Sequence, residues 1–135
     1  MRCAPWVRAA ASFWTWLIVA GLCLPALAAP AAPASPEATP HELITARCIA
    51  ALDAQADALA QQIKAGQPQW RPLLLARLKA GAAFVGDAYL KGERDEAHAR
   101  ELLHAAQQAQ KALSKTELVA RQNICAAEGA RMLSE

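Results

Sequence analysis

Cysteine offers the most chemistry in this chain of 135 residues, which contains Cys3, Cys23, Cys48 and Cys125. None of them belongs to a Cys-x-x-Cys or Cys-x-x-Cys-His sequence, so neither a thioredoxin-like redox pair nor a covalently attached c-type haem is expected. A disulfide bond between Cys48 and Cys125 is the simplest use of the two cysteines outside the N-terminal segment, because exported proteins fold under oxidising conditions. An intermolecular bond and two free thiols are the alternatives.

No arrangement typical of a catalytic nucleophile is found. The sequences Gly-x-Ser-x-Gly and His-Glu-x-x-His do not occur, and there is no glycine-rich phosphate loop. Ser114 is accounted for as a helix cap, and Ser134 lies at the C-terminus. We therefore expect a protein that is not an enzyme.

His41 and Met132 are candidate cofactor-binding residues. A histidine and a methionine at one end of the first and last predicted helices resemble the ligands of four-helix haem-binding cytochromes. The resemblance implies a haem site, although the helix that supplies each ligand differs from that family. The alternative is that His41 is a solvated residue of a helix cap and that Met132 fills space in the core.

Polar residues follow one another at a spacing of three in the third predicted helix, at Asp95, His98, Glu101 and His104. Glu101 to His104 has the Glu-x-x-His pattern of di-iron bundles, but such a site needs two of these patterns and two further glutamates. His98 and His104 point about 120° apart on an α-helix, which suits a shared metal ion poorly. We therefore predict a solvated helix face and no metal site.

The N-terminal segment predicts export. Arg2 and Arg8 precede an apolar run that extends over residues 9–24, and Ala26-Leu27-Ala28 is a typical cleavage sequence. The run is shorter than the roughly 20 residues of a spanning helix. We expect residues 1–28 to be a cleaved signal peptide, with an uncleaved anchor as the alternative. The chain is then periplasmic or secreted, without stable membrane insertion.

Composition and net charge characterise the chain after residue 28. Residues 29–38 are rich in proline and alanine and predict a disordered linker. Arg2 and Arg8 account for the formal net charge of +2, so the chain without its leader is formally neutral. A neutral chain argues against nucleic acid or an anionic membrane as the main partner, because both require a basic surface.

Residues 39–135 predict an all-α domain, a small antiparallel up-down-up-down four-helix bundle. Capping boxes at Thr39 to Glu42 and at Ser114 to Glu117 begin the first and fourth helices. Four helices with very short connections must alternate in direction. The other predicted boundaries are Gly66 after the first helix, Pro68 at the start of the second, Lys91-Gly92 at its end and Asp95 as the cap of the third.

Each predicted helix carries an apolar stripe for the core. In chain order the stripes are Ile44, Cys48, Leu52, Leu59 and Ile63; Trp70, Leu74, Leu78, Ala82, Val85 and Tyr89; Ala99, Leu102, Ala106, Ala109 and Leu113; and Leu118, Gln122, Cys125, Gly129 and Met132. Pairing Cys48 with Cys125 predicts a register in which Ile44 lies level with Gly129. Gly81 and Gly86 predict close approach between helices, with a binding crevice as the alternative.

Residues 84–113 resemble one tetratricopeptide unit. The resemblance is carried by Gly86, Ala88, Tyr89, Asp95-Glu96-Ala97, Ala105 and Ala109. It implies a helical hairpin, with a turn one residue shorter than the family's. The unit has no second copy, and the peptide-binding groove of that family needs at least three stacked units.

The sequence therefore predicts a non-enzymatic protein that binds another protein or an envelope component. The second helix is apolar around most of its circumference, so it is either the most buried helix or presents one face to a partner. Trp70, Leu73 and Phe84 are the candidate protein-binding residues. The equally expected alternative for Trp70 is that it closes the end of the bundle. A haem or metal carrier and a periplasmic stress or chaperone-like helper are the alternative functions.

Overall fold

The computed structural model describes residues 37–91 and 96–135. The predicted signal peptide, residues 29–36 of the predicted linker, Gly92 and Asp95 lie outside these ranges. The described part is all-helical, with α1 at Pro40–Lys64, a single 3-10 turn at Pro68–Trp70, α2 at Arg71–Leu90, α3 at Glu96–Gln110 and α4 at Lys115–Met132. None of these helices combines the length and the apolar character needed to cross a membrane.

Both predicted capping boxes are present. The Glu42 amide donates to Thr39 Oγ1 at 3.2 Å, and the Thr39 amide donates to the Glu42 carboxylate at 2.8 Å. Ser114 and Glu117 form the same pair of bonds at the start of α4. Each box supplies side-chain acceptors for backbone N–H groups that a helix N-terminus otherwise leaves without a partner.

The connection between α1 and α2 is partly as predicted. Gly66 ends α1 with a φ of 92°, a left-handed conformation that strains other residues. Pro68 begins the 3-10 turn rather than α2, since the Trp70 amide bonds back to the Gln67 carbonyl at 3.4 Å and closes a three-residue turn. The α-helix itself begins at Arg71.

α1 is the most buried helix, and two opposite faces of it pack against different neighbours. Cys48 and Leu52 belong to a core cluster shared with α2 and α4, whose other buried members are Ala80, Phe84, Cys125 and Ala126. Ala46 and Ala50 form a second cluster with Ala106 of α3, flanked by Leu102 and Leu103. Positions two apart on an α-helix point about 200° apart. α1 therefore lies between α3 on one side and α2 and α4 on the other.

Side-chain contacts give the directions of the first three helices. His41 near the start of α1 contacts Asp87 near the end of α2, and Gln55 accepts a hydrogen bond from Arg77 at 2.6 Å, so these helices are antiparallel. Glu42 approaches His98 at the start of α3. Because the Ala46 cluster lies further along both α1 and α3, these two helices run in the same direction. The arrangement is consistent with a small helical bundle.

A disulfide bond joins Cys48 of α1 to Cys125 of α4, with their Cα atoms 5.2 Å apart. The predicted pairing is therefore the one the structure contains. The predicted register around it differs, because Gly129 packs against Ala80 of α2, whereas Ile44 shares a shallow groove with Arg121. The position of α4 is set by contacts with α2 as well as with α1, and the sequence prediction considered only α1.

The predicted core stripes hold for α4 and fail for α2. Gln122, Cys125 and Gly129 are buried as expected. In α2, four residues that were predicted to face the core are exposed to solvent instead: Leu78, Ala82, Val85 and Tyr89. The buried residues of α2 are Ala80 and Phe84 instead. A helix that is apolar on nearly every side has no periodicity that selects its inner face.

The disulfide should contribute a large part of the stability. Replacing both cysteines, Cys48→Ala and Cys125→Ala, should lower the free energy of unfolding by about 2–4 kcal/mol, because the bond closes a separation of 77 residues in the unfolded chain. Urea denaturation followed by circular dichroism measures this loss. Adding a reductant should destabilise the wild-type protein to a similar extent and leave the double variant unchanged. Equal stability of the reduced and oxidised wild-type protein would contradict the assignment.

Candidate functional site

The three predicted protein-binding residues do not form one surface. Trp70 and Leu73 are half-buried at the start of α2, where the Trp70 indole donates to Gln67 Oε1 at 2.9 Å. Phe84 is only 2% exposed and packs against the disulfide in the core. The expectation that Phe84 is a surface residue is therefore wrong. A binding role for Trp70 and Leu73 stays a prediction.

His41 and Met132 lie in different surroundings. The His41 Nε2 atom is 3.0 Å from Asp87 Oδ2 and 2.9 Å from Lys91 Nζ. The hydrogen bond from Lys91 is the main cause that holds the pKa of Asp87 below its ordinary value, and His41 acts in the same direction. Met132 packs against the core cluster that contains the disulfide. These contacts do not favour the haem hypothesis.

The polar series of the third helix divides between two environments. Glu101 and His104 are exposed, as a solvated face requires, but His98 is 8% exposed. The prediction is therefore wrong for His98, while Asp95 lies outside the described residues. Within residues 37–91 and 96–135, no three His, Cys, Asp or Glu side chains are grouped so that they could hold a metal ion.

A row of exposed apolar side chains runs along α2. We call it the α2 outer face and define it as Leu75, Leu78, Ala82, Val85 and Tyr89. Leu75 and Leu78 are 53% and 50% exposed, and Val85 and Tyr89 are 41% and 79% exposed. Their spacing alternates between three and four residues, which places them on one stripe of the helix. This spacing is typical of the contact seam between two paired helices.

Gly81 and Gly86 flank the α2 outer face. A Cβ atom at either position would meet no other atom within 4 Å. The expectation that these glycines allow close packing inside the bundle is therefore wrong. Since glycine within a helix costs about 1 kcal/mol relative to alanine, nothing in the packing of the described residues accounts for them.

A cavity of about 310 Å³ lies between α1, the C-terminal half of α2 and the N-terminal half of α3. Its walls are mainly apolar, and include Ala46, Ile49, Val85, Ala99, Leu102 and Leu103. Six polar or charged residues also line it: Glu42, Thr45 and His98 are buried, whereas Tyr89, Glu96 and Arg100 are exposed. Glu42 Oε1 and His98 Nε2 are 3.8 Å apart, which is an ion-pair distance rather than a hydrogen bond.

Sequence reasoning did not find this cavity, although one indication of it was present. His98 precedes Leu102 and Ala106 at steps of four residues, so it lies on the same side of α3 as the residues that pack against α1. Glu42 was identified only as a capping residue. Its second role depends on where α3 lies, which a local sequence pattern does not specify.

The chain was compared with protein-family models, with characterised proteins and with solved structures, and none of these comparisons gives a significant match.

The glycines of α2 and α4 should respond oppositely to substitution by alanine. A Cβ atom at position 129 would lie 2.7 Å from Ala80 Cβ and 2.8 Å from its Cα atom, so Gly129→Ala should destabilise the protein by about 1–3 kcal/mol. Gly81→Ala enters open space and should stabilise the protein by about 0.5–1 kcal/mol. Thermal and urea denaturation of the two variants measure both changes. A stabilising Gly129→Ala substitution would contradict the α2–α4 contact.

Proposed function

We propose that this protein is an exported, non-enzymatic binding protein that pairs with an acidic amphipathic helix of another protein. The observation that carries the proposal is the α2 outer face, a row of exposed apolar side chains with the spacing of a helix-pairing seam. Burial of such side chains against a partner is favourable, by roughly 25 cal/mol per Å² of apolar surface removed from water. A helix of a partner is the element that this spacing fits.

The charge of α2 favours an acidic partner. Arg71 and Lys79 are exposed in its first half, and no carboxylate accompanies them there, whereas Arg77 donates to Gln55 of α1. The single acidic residue of α2, Asp87, already contacts Lys91 at 2.8 Å. A second copy of this chain would bring two such positive helices together, which is unfavourable. A partner helix with glutamate or aspartate beside its apolar stripe would be complementary in charge.

Gly81 and Gly86 support the same proposal. They flank the α2 outer face and leave the helix backbone open to the outside. Small residues beside a seam allow two helix backbones to approach each other closely. The stability that these glycines cost the isolated protein would then be offset by closer helix packing in the complex.

The proposed binding protein is exported and has the domain organisation expected from the sequence. Residues 1–28 would be removed as a signal peptide, residues 29–38 would form a linker, and residues 39–135 would form an up-down-up-down bundle in the periplasm or outside the cell. This location is compatible with the disulfide, and none of the described helices is long and apolar enough to cross a membrane. A binding role for Trp70 and Leu73 would be separate from the α2 outer face, because Leu73 lies seven residues before the buried Ala80 and therefore on the inner side of α2.

Site-specific photo-crosslinking in the producing cells tests the function. A photoreactive amino acid at Leu78 should give an adduct with one other protein, and mass spectrometry of the linked peptide should place the contact in an acidic helical segment. The matched control is Val119 of α4, which is exposed to a similar degree (44%) and should give no such adduct. Lys79→Glu should lower the adduct yield about fivefold, since one exposed charge pair is worth up to about 1 kcal/mol.

Three results would contradict the proposal. Adducts only between copies of this chain would indicate self-association through α2. Adducts only with lipid would indicate a membrane surface instead of a protein. Equal adducts from Leu78 and Val119, or none from Leu78, would show that the α2 outer face has no specific protein partner.

A further inference from the structure

The cavity between α1, α2 and α3 owes its room to small side chains. Each helix contributes one alanine to the lining: Ala46 of α1, Ala88 of α2 and Ala99 of α3. A larger residue at any of these positions would extend into the space that the cavity now occupies. The volume that remains is about 310 Å³, which is within the range of cavities that hold small ligands.

The walls of the cavity are aliphatic and come from both parts of the core. Ile49 packs against the cluster that contains the disulfide, whereas Leu102 and Leu103 pack against the cluster that contains Ala50. Val85 adds an aliphatic side chain from α2. The cavity therefore lies between the two clusters, and a ligand in it would bury apolar surface against both.

The charged side chains at the buried end of the cavity already have partners. Glu42 accepts the Thr39 amide at 2.8 Å through one carboxylate oxygen, and its other oxygen is 3.8 Å from His98 Nε2. Neither Glu42 nor His98 is without a partner. A ligand that brought a charge to this end would have to compete with the existing contacts.

The charged residues at the rim are paired with each other. Glu96 and Arg100 line the exposed part of the cavity, and their carboxylate and guanidinium groups are 3.1 Å apart. Because these charges are opposite, the rim favours neither an anion nor a cation. An ion that entered the apolar part would lose its hydration without an unengaged counter-charge among the described lining residues, which is unfavourable. An uncharged ligand avoids this penalty.

The opening and the volume limit the size of the ligand. Val85 and Tyr89 are exposed residues of the lining, so the opening lies beside the C-terminal half of α2. A cavity of about 150 Å³ holds benzene, so this one has room for a body roughly twice as large. Two fused aromatic rings or a medium-length alkyl chain have this size.

From these features we infer that the cavity binds a small uncharged molecule with a hydrocarbon body about the size of naphthalene. The body lies against the aliphatic walls, and a polar but uncharged group of the ligand can remain in water at the opening. All of the walls belong to this chain. The inference therefore does not rest on the partner helix proposed for the α2 outer face.

Titration of the full chain, purified as exported and with its disulfide intact, tests the inference with three probes that share one ring system. 2-Naphthylmethanol should shift the NMR signals of Ala46, Val85 and Leu102 in a saturable manner. 2-Naphthoate and 2-naphthylmethylammonium should bind at least about tenfold more weakly, because each has to take a charge out of water. Absence of binding by 2-naphthylmethanol, or equally tight binding of either ion, would overturn the inference.

Ala99→Phe fills the cavity from α3 at an exposed position. It should weaken binding of 2-naphthylmethanol at least about tenfold, because the phenyl ring takes the space of the ligand, and leave the helical circular dichroism unchanged. Ala88→Leu fills the cavity from α2 and should also weaken binding. Ala105→Phe is the matched control, an exposed residue of α3 outside the lining, and should bind like the wild type. Unchanged binding by both filled variants, or equal loss in the control, would refute the site.

The residues whose signals move distinguish the cavity from the other apolar surfaces. Leu75 and Leu78 on the α2 outer face and Ile124 in the shallow groove beside the disulfide should not respond. Shifts centred on any of these three would place the probe on an exposed patch and overturn the inference. The Lys79→Glu variant should bind 2-naphthylmethanol normally, so the outcome is independent of whether the α2 outer face has a protein partner.

Discussion

The covalent bond between Cys48 and Cys125 is the constraint on which the rest of the structure depends. It lies within a small core where Phe84 is the largest buried side chain and most other members are alanine, cysteine or leucine. Such a core offers little apolar surface to hold four helices together. The bond fixes α4 against α1, and α4 in turn places Gly129 directly on Ala80 of α2. α1, α2 and α4 are thereby held together at one site.

The position of α4 decides which surfaces remain open. Because α4 packs on the side of α1 that carries Cys48 and Leu52, it covers the Ala80 and Phe84 side of α2 and leaves the α2 outer face uncovered. α3 packs on the opposite side of α1, at Ala46 and Ala50. The space between α2 and α3 is the cavity lined by Glu42 and His98. The α2 outer face and this cavity thus both result from α1 having two packed faces, and they share Val85 and Tyr89.

Local signals in the sequence were sufficient for the ends of helices and for the covalent link. The capping boxes at Thr39 and Ser114 and the stop at Gly66 depend only on residues close together in the chain, and they are found as predicted. The disulfide followed from the number of cysteines and the expected compartment. The α4 stripe was also identified correctly, because Cys125, whose pairing with Cys48 was expected, marks the inner side of the helix.

The inner face of α2 and the environment of His98 could not be obtained in this way. α2 has leucine, alanine, valine or glycine on nearly every side, so the choice between Leu78 and Phe84 as the core residue was made by contacts with α1 and α4. His98 became buried because α3 lies along the Glu42 side of α1. The function remains a proposal for the same reason, since it depends on which apolar side chains the tertiary packing leaves in water.

The orientation of α2 is therefore the central claim, and hydroxyl-radical footprinting of the purified, oxidised protein tests it most directly. Leu78, Val85 and Tyr89 should be modified at rates typical of exposed side chains, and Phe84 should be protected as long as the disulfide is intact. Rapid modification of Phe84 together with protection of Leu78 and Val85 would show that α2 is turned the other way, and would contradict both the fold described for α2 and the binding surface placed on it.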